Sequence, residues 1–155
     1  MQRLTGEYEC KVDAKGRLRL PSSLVRQLSS DNLTFTVNRG FEKNLILYPK
    51  DVWIKKAEEI DNYLNIYSTK QRQVLRYFYR GATEVTLDGS DRLLIPRTLV
   101  KYADINNTVM LFAIQQQIEI WSLEEYEKMI SQEPEDFSQI ADDIFGNSIS
   151  DGKGE

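Results

Sequence analysis

Tyr8, Cys10 and Val12 alternate with Glu7, Glu9 and Lys11, and a few residues later Leu18 and Leu20 alternate with Arg17 and Arg19. Alternation with a period of two predicts half-buried strands. Asp13-Ala-Lys-Gly16 lies between them with Asp first and Gly last, as a tight turn requires, so the segment reads as a hairpin with one apolar face. Pro21 stops the second strand, and Ser22 or Ser23 is placed to cap a short helix carrying Leu24, Val25 and Leu28. Strands are expected near Leu33 to Val37 and Asn44 to Tyr48, after which the period changes to 3.6 for a helix over Lys50 to Tyr63. A second helical stretch, Thr69 to Arg80, carries Lys70, Arg72, Arg76 and Arg80 and no acidic residue. That stripe reads as a solvated face or as partners for carboxylates, ahead of direct DNA contact.

The same pattern then recurs. Asp13-Ala-Lys-Gly-Arg-Leu-Arg-Leu-Pro21 is matched by Asp88-Gly-Ser-Asp-Arg-Leu-Leu-Ile-Pro96, both Asp-x-x-x-Arg-Leu-x-apolar-Pro, at an offset of 75 residues. Leu45 to Tyr48 and Ile118 to Trp121 continue the match at an offset of 73. The expected organisation is a first repeat over 1–64, a linking helix over 65–81, a second repeat over 82–131 and an acidic tail over 132–155. Within the tail, Phe137, Ile140, Ala141, Ile144 and Phe145 have helical spacing, and disorder is expected from Gly146 onward. Four short strands per copy leave many edges and a small core, so neither half should stand alone. Interlocked hairpins forming one pseudo-symmetric, β-barrel-like α+β unit would solve both problems.

Composition narrows the chemistry. The chain of 155 residues has no histidine and one cysteine, which excludes a disulfide framework, a Cys/His zinc site, a Ser-His-Asp triad and a Cys-His pair within one chain. Cys10 alternates with Tyr8 and Val12 and reads as a small buried residue. The longest apolar run, Val109 to Ile114, is too short to span a bilayer, and the N-terminus lacks a signal-peptide core, so a cytoplasmic protein is expected. No catalytic residue, metal or cofactor is expected either. Asp13 and Asp88 could form a carboxylate pair, but each has an Arg four residues on, which keeps it ionised and unsuited to general-acid work.

The net charge of −4 is unevenly placed. Residues 119–155 hold 11 acidic and 2 basic side chains, whereas residues 1–118 hold 18 basic against 13 acidic. On the first hairpin, Lys11, Lys15, Arg17 and Arg19 project away from the side occupied by Val12, Leu18 and Leu20. A two-stranded ribbon with such a face fits a major groove, where Arg pairs with guanine and Lys meets phosphate. The competing reading is a charge ladder in which Glu7 and Glu9 pair Arg17 and Arg19, and Asp13 pairs Arg17 around the turn.

A resemblance favours the first reading. With Gly6-Glu-Tyr8, the Asp13 to Pro21 motif, Gly40-Phe41, Leu45-Ile-Leu-Tyr-Pro49, Trp53, Leu75-Arg-Tyr-Phe-Tyr-Arg-Gly-Ala82, Asp88 with Arg92-Leu-Leu-Ile-Pro96 and Glu119-Ile-Trp121, the chain resembles the bacterial MraZ family from about Gly6 to Met129. The resemblance implies two tandem AbrB-like repeats forming a swapped-hairpin unit with flanking helices. It also implies a transcriptional regulator of the division and cell-wall gene cluster, associated with the nucleoid. Such a protein forms a ring homo-oligomer and binds double-stranded DNA at direct repeats upstream of that cluster. Lys15 and Arg17 carry over as DNA contacts, joined by Lys11 and Arg19 from the residue pattern, while Asp13, Gly16, Asp88 and Arg92 are motif residues with a structural role. The second copy departs from the family pattern, with Asp91 where Gly is usual, Ser90 in place of Lys15 and Leu94 in place of Arg19. Its hairpin has lost most of its positive face, and Arg92 is expected to pair with Asp88. An alternative follows from related swapped-hairpin antitoxins, whose acidic extensions bind a partner protein: an antitoxin-like interaction module using residues 133–145.

Overall fold

The computed structural model describes residues 3–29, 33–132 and 137–146. The first copy runs β1 (Gly6–Lys11), β2 (Arg17–Arg19), α1 (Ser22–Val25), β3 (Thr34–Arg39), β4 (Leu45–Pro49) and α2 (Lys50–Tyr63). After α3 (Thr69–Tyr79) the second copy repeats the order with β5 (Thr83–Thr86), β6 (Arg92–Leu94), α4 (Arg97–Tyr102), β7 (Thr108–Ile114), β8 (Gln117–Ser122) and α5 (Leu123–Ser131). These elements follow the alternation expected from the sequence, with boundaries shifted by a residue or two, except that α1 ends at Val25 and leaves Leu28 outside the helix. Prolines set the joints: Pro21, Pro49 and Pro96 each close an extended segment and stand at the N-cap of α1, α2 and α4. Neither Ser22 nor Ser23 caps α1, which has no side-chain cap hydrogen bond; Ser22 is its first residue. The fixed φ of proline already suits a helix entrance.

The strand pairing differs from the expected hairpins. β1 and β2 form no ladder with each other, and Val12, just past β1, makes one isolated bridge to Leu18. β1 instead runs antiparallel to β7 of the second copy, β5 pairs with β3 of the first, and β2 pairs with β6. A six-stranded sheet in the order β1-β7-β8-β4-β3-β5 results, alongside the two-stranded β2-β6 ribbon. The sheet keeps β1 and β5 as separate edges, so the β-barrel expected from the sequence does not close. The cross-strand register expected to set Glu7 and Glu9 against Arg17 and Arg19 does not form, because Glu7 and Glu9 lie opposite Phe112 and Met110, whereas the Asp13–Arg17 pair of the same reading does form.

Burial explains why the copies exchange strands. Leu18 and Leu93 are paired in the ribbon and fully buried, as are Phe35, Val37, Leu45, Leu47, Leu111, Ile118 and Ile120. Equivalent positions of the two copies fill one core, with Leu20 answering Ile95 and Leu24 answering Leu99. Each such leucine contributes about 1.5–3 kcal/mol when fully buried, which a three-residue strand could not obtain within its own copy.

Residues 1–125 form one compact unit and residues 126–155 a second. In the latter, α6 (Phe137–Ala141) continues into a π-helical turn, Asp142–Gly146, and Phe137, Ile140, Ile144 and Phe145 are exposed. The disorder expected after Gly146 falls on residues outside those described.

Candidate nucleic-acid interface

The two Asp-x-x-x-Arg motifs form nearly identical turns. One carboxylate oxygen of Asp13, Oδ1, accepts from the backbone N–H of Lys15 and of Arg17, both at 2.9 Å, while Oδ2 accepts from Arg17 Nε at 2.7 Å. Asp88 does the same, taking the N–H of Ser90 at 2.8 Å and of Arg92 at 3.0 Å on Oδ1, and Arg92 Nε at 3.1 Å on Oδ2. The four-residue spacing is what lets one carboxylate close the turn and aim the guanidinium. The backbone N–H of Arg17, followed by its guanidinium, holds the Asp13 carboxyl below its usual range; the N–H groups of Arg92 and Ser90 do so for Asp88. Both aspartates therefore stay ionised, so neither keeps a proton for general-acid work.

The residue before each arginine turns the chain through the left-handed region. Gly16 has φ +89°, and a Cβ there would stand 2.7 Å from the Ile95 carbonyl oxygen. Asp91 holds the equivalent place with φ +60°. Each also locks the opposite copy: the Gly16 carbonyl accepts from Ile95 N at 2.9 Å, and the Asp91 carbonyl accepts from Leu20 N at 2.8 Å. The turns thus fasten both ends of the β2-β6 ribbon.

On this ribbon Arg17 lies opposite Leu94, Leu18 opposite Leu93 and Arg19 opposite Arg92. Leu18 and Leu93 point into the core, so Arg17, Arg19, Arg92 and Leu94 share the outer face. Lys11, Arg17, Arg19 and Arg92 line one surface hollow together with Asp13, Asn107 and Thr108. Lys15 stands apart from that hollow, on the turn, beside a second depression that also takes in Gly16, Arg97 and Asn106. The residue pattern puts Lys11, Lys15, Arg17 and Arg19 on one hairpin face and Arg92 on a separate hairpin. The ribbon instead joins Arg92 to Arg17 and Arg19, and it brings in Arg97 as a further cation near Lys15 that the pattern does not single out. Matching motifs do carry a signal for this, because a pseudo-twofold pairing of β2 with β6 brings equivalent arginines to one face.

Elsewhere one member of the cationic α3 stripe, Arg72, has a local structural use. Arg72 donates to the Ile66 carbonyl at 2.8 Å and to Thr69 Oγ1 at 3.2 Å, holding the turn before the helix. Trp53 of α2 packs between Tyr48 and Phe78, with ring centroids at 5.2 and 6.0 Å. Buried Asn38 donates to the Phe78 carbonyl at 2.8 Å, which ties α3 to β3. Cys10 is buried, and burial pushes its thiol up to about 11. Among the described residues no helix is long and apolar enough to cross a membrane, and no group of three or more His, Cys, Asp or Glu side chains is placed to hold a metal ion.

Comparison with known proteins extends the family resemblance to the whole chain. The family described as "MraZ protein, putative antitoxin-like" matches twice, over residues 4–77 and 78–148. A relative in Christiangramia forsetii is 38% identical over 98% of this chain and 99% of its own length. Others in Flavobacterium psychrophilum and Cytophaga hutchinsonii are each 36% identical, over 99% and 89% of this chain and 99% and 91% of theirs. All three carry the name transcriptional regulator MraZ, a non-enzymatic function. Two family matches that divide the chain between its repeats, and relatives aligned almost end to end, establish that this protein belongs to the MraZ family.

Proposed function

We propose that the protein is a sequence-specific, DNA-binding transcriptional regulator whose reading element is the β2-β6 ribbon. The observation that carries this is the exposed face on which three arginines from the two copies converge above a buried Leu18–Leu93 pair. A ribbon about 5 Å between strands enters a major groove about 12 Å wide, where Arg reads guanine O6 and N7. Lys15 and Arg97 flank the ribbon and serve phosphates. The names of the relatives agree with the regulatory role. The pairing of β2 with β6, each at the tip of an Asp-x-x-x-Arg turn, supports reading the repeats as swapped hairpins of the AbrB-like group.

One ribbon on a chain of net charge −4 binds weakly, so several copies are needed on one assembly. A ring makes each later contact intramolecular, at an effective concentration on the order of millimolar, and raises avidity by about 10² to 10⁴. The matching DNA is a set of direct repeats upstream of the division and cell-wall cluster that holds the gene, and the setting is the cytoplasm and its nucleoid.

Anisotropy titrations on DNA from upstream of the chain's own gene, at several salt concentrations, test the reading. Arg17→Ala loses about 1–3 kcal/mol per ribbon and relaxes base preference, whereas Lys15→Ala weakens all sequences alike and lowers the salt slope by about one unit per ribbon engaged. Normal operator binding by folded Arg17→Ala overturns the ribbon as reader.

A second reading rests on the second unit, where Phe137, Ile140, Ile144 and Phe145 are exposed beside Asp142 and Asp143. An acidic, apolar segment of that kind suits an antitoxin-like contact with a partner protein. A pull-down without DNA, comparing the full chain with one ending at residue 131, separates it from the first.

A further inference from the structure

The ribbon's outer face has a symmetry that its residues break at one position. Strands β2 and β6 run antiparallel in a register that relates Arg17 to Arg92 and Arg19 to Leu94. The first pair are both arginines. The second pair are not alike, and Leu94 is 57% exposed on a face otherwise made of guanidinium groups. No apolar neighbour on the ribbon covers it, because its cross-strand partner is Arg17 and the inward leucines occupy the other face. Its Cδ1 lies 4.0 Å from where a Cβ on Gly16 would stand, which places the side chain against the glycine of the first turn.

Resting on the major-groove reading of the ribbon, we infer that Leu94 is a specificity-determining residue that recognises the C5-methyl group of a thymine and gives each DNA box a fixed direction. Same-face residues along a strand are about 6.7 Å apart, close to two base-pair steps of about 3.4 Å, and the strands are about 4.8 Å apart. Arg17 and Arg19 therefore reach bases about two steps apart, and Leu94 reaches the groove floor beside Arg17. In the major groove the thymine methyl is the one apolar group that a base pair presents, and an aliphatic side chain is its complement. Were Leu94 an arginine, the ribbon would offer the same chemistry to both halves of its site and would suit a palindrome. With leucine there, one end is read by the guanidinium groups of Arg19 and Arg92 and the other by that of Arg17 together with a methyl contact. The turns reinforce this direction, since Lys15 and Gly16 flank the Leu94 end while Ser90 and Asp91 flank the Arg19 end.

The test compares two versions of the shortest DNA segment bound from upstream of the chain's own gene, one with thymine and one with deoxyuridine, which lacks only the methyl. Wild-type protein binds the thymine version about fourfold more tightly, the factor expected for burying one methyl group. Leu94→Ala and Leu94→Arg, with folding verified by circular dichroism, bind the two versions equally. Leu94→Arg in addition loses its preference for one orientation of a box placed beside a fixed second box. A thymine preference that survives in Leu94→Ala, or that is absent from the wild type, overturns the inference. Arg17→Ala keeps the two levels distinct: if it binds both versions as the wild type does, the ribbon itself is not the reader. If it is impaired while Leu94→Ala keeps the thymine preference, only the role of Leu94 fails.

Discussion

Asp13 and Asp88 each accept two backbone N–H groups and one guanidinium, and these bonds hold both carboxyls below their usual value of 3.8. A carboxyl with a depressed folded value stabilises the fold above its unfolded value and loses that contribution as the pH falls through the folded one. The melting temperature of the wild type should accordingly hold steady above about pH 4 and drop below it. The double variant Asp13→Asn, Asp88→Asn should melt lower near neutral pH and vary less with acid; equal acid slopes in thermal melts would contradict this account. The residue before each arginine gives a second contrast. Gly16→Ala puts a Cβ against the Ile95 carbonyl in a backbone region L residues avoid, and should cost about 1–3 kcal/mol. Asp91→Gly relieves the left-handed strain at φ +60° and should raise stability by up to about 1 kcal/mol. Denaturant titrations of the two variants check both signs.

At the scale of elements, the proposed reading makes the ribbon couple stability to DNA binding. Arg92 closes the second turn through Asp88 and also stands opposite Arg19 on the outer face. Reading the second copy as a separate hairpin makes Arg92→Ala cost stability more than DNA affinity. Its position on the shared face instead predicts two losses, a lower melting temperature and a DNA affinity reduced by about tenfold or more, within the range for one guanidinium contact. Melting and anisotropy measured on the same preparation distinguish these cases. Leu18→Ala, which empties a fully buried site under the same ribbon, should cost about 2–5 kcal/mol and reduce affinity only through unfolding.

For the molecule as a whole, pairing between copies makes the repeats interdependent. β1–β7, β3–β5 and β2–β6 all join residues of one copy to residues of the other, so either half alone exposes unpaired edges and half a core. A chain ending at residue 81 should show little cooperative unfolding by circular dichroism, as should one beginning at residue 82. Mixing the two should restore a single transition, and a first half that melts cooperatively alone would show that the exchange of strands is dispensable. The acidic surplus over residues 119–155 leaves the preceding 118 residues with more basic than acidic side chains, which suits a DNA-binding body despite the overall charge of −4.

Local signals are strong enough to make the elements legible in the order of residues. The alternation about Tyr8, Cys10 and Val12, the prolines at 21, 49 and 96 and the helical period over Lys50 to Tyr63 all act within a few residues of themselves, and each element forms where they indicate. The repeat, the Asp13–Arg17 and Asp88–Arg92 pairs and the burial of Cys10 are legible for the same reason. Which strand pairs with which is not, because a three-residue strand such as Arg17–Arg19 has the same alternation whether its partner is β1 or β6. That choice belongs to the core, since only pairing between the copies buries Leu18 against Leu93. Once it is made, Arg92 and Leu94 come to the same face as Arg17 and Arg19. The repeated motif is therefore determined by the order of residues, whereas the composition of the ribbon's outer face is decided by tertiary packing across 75 residues of chain.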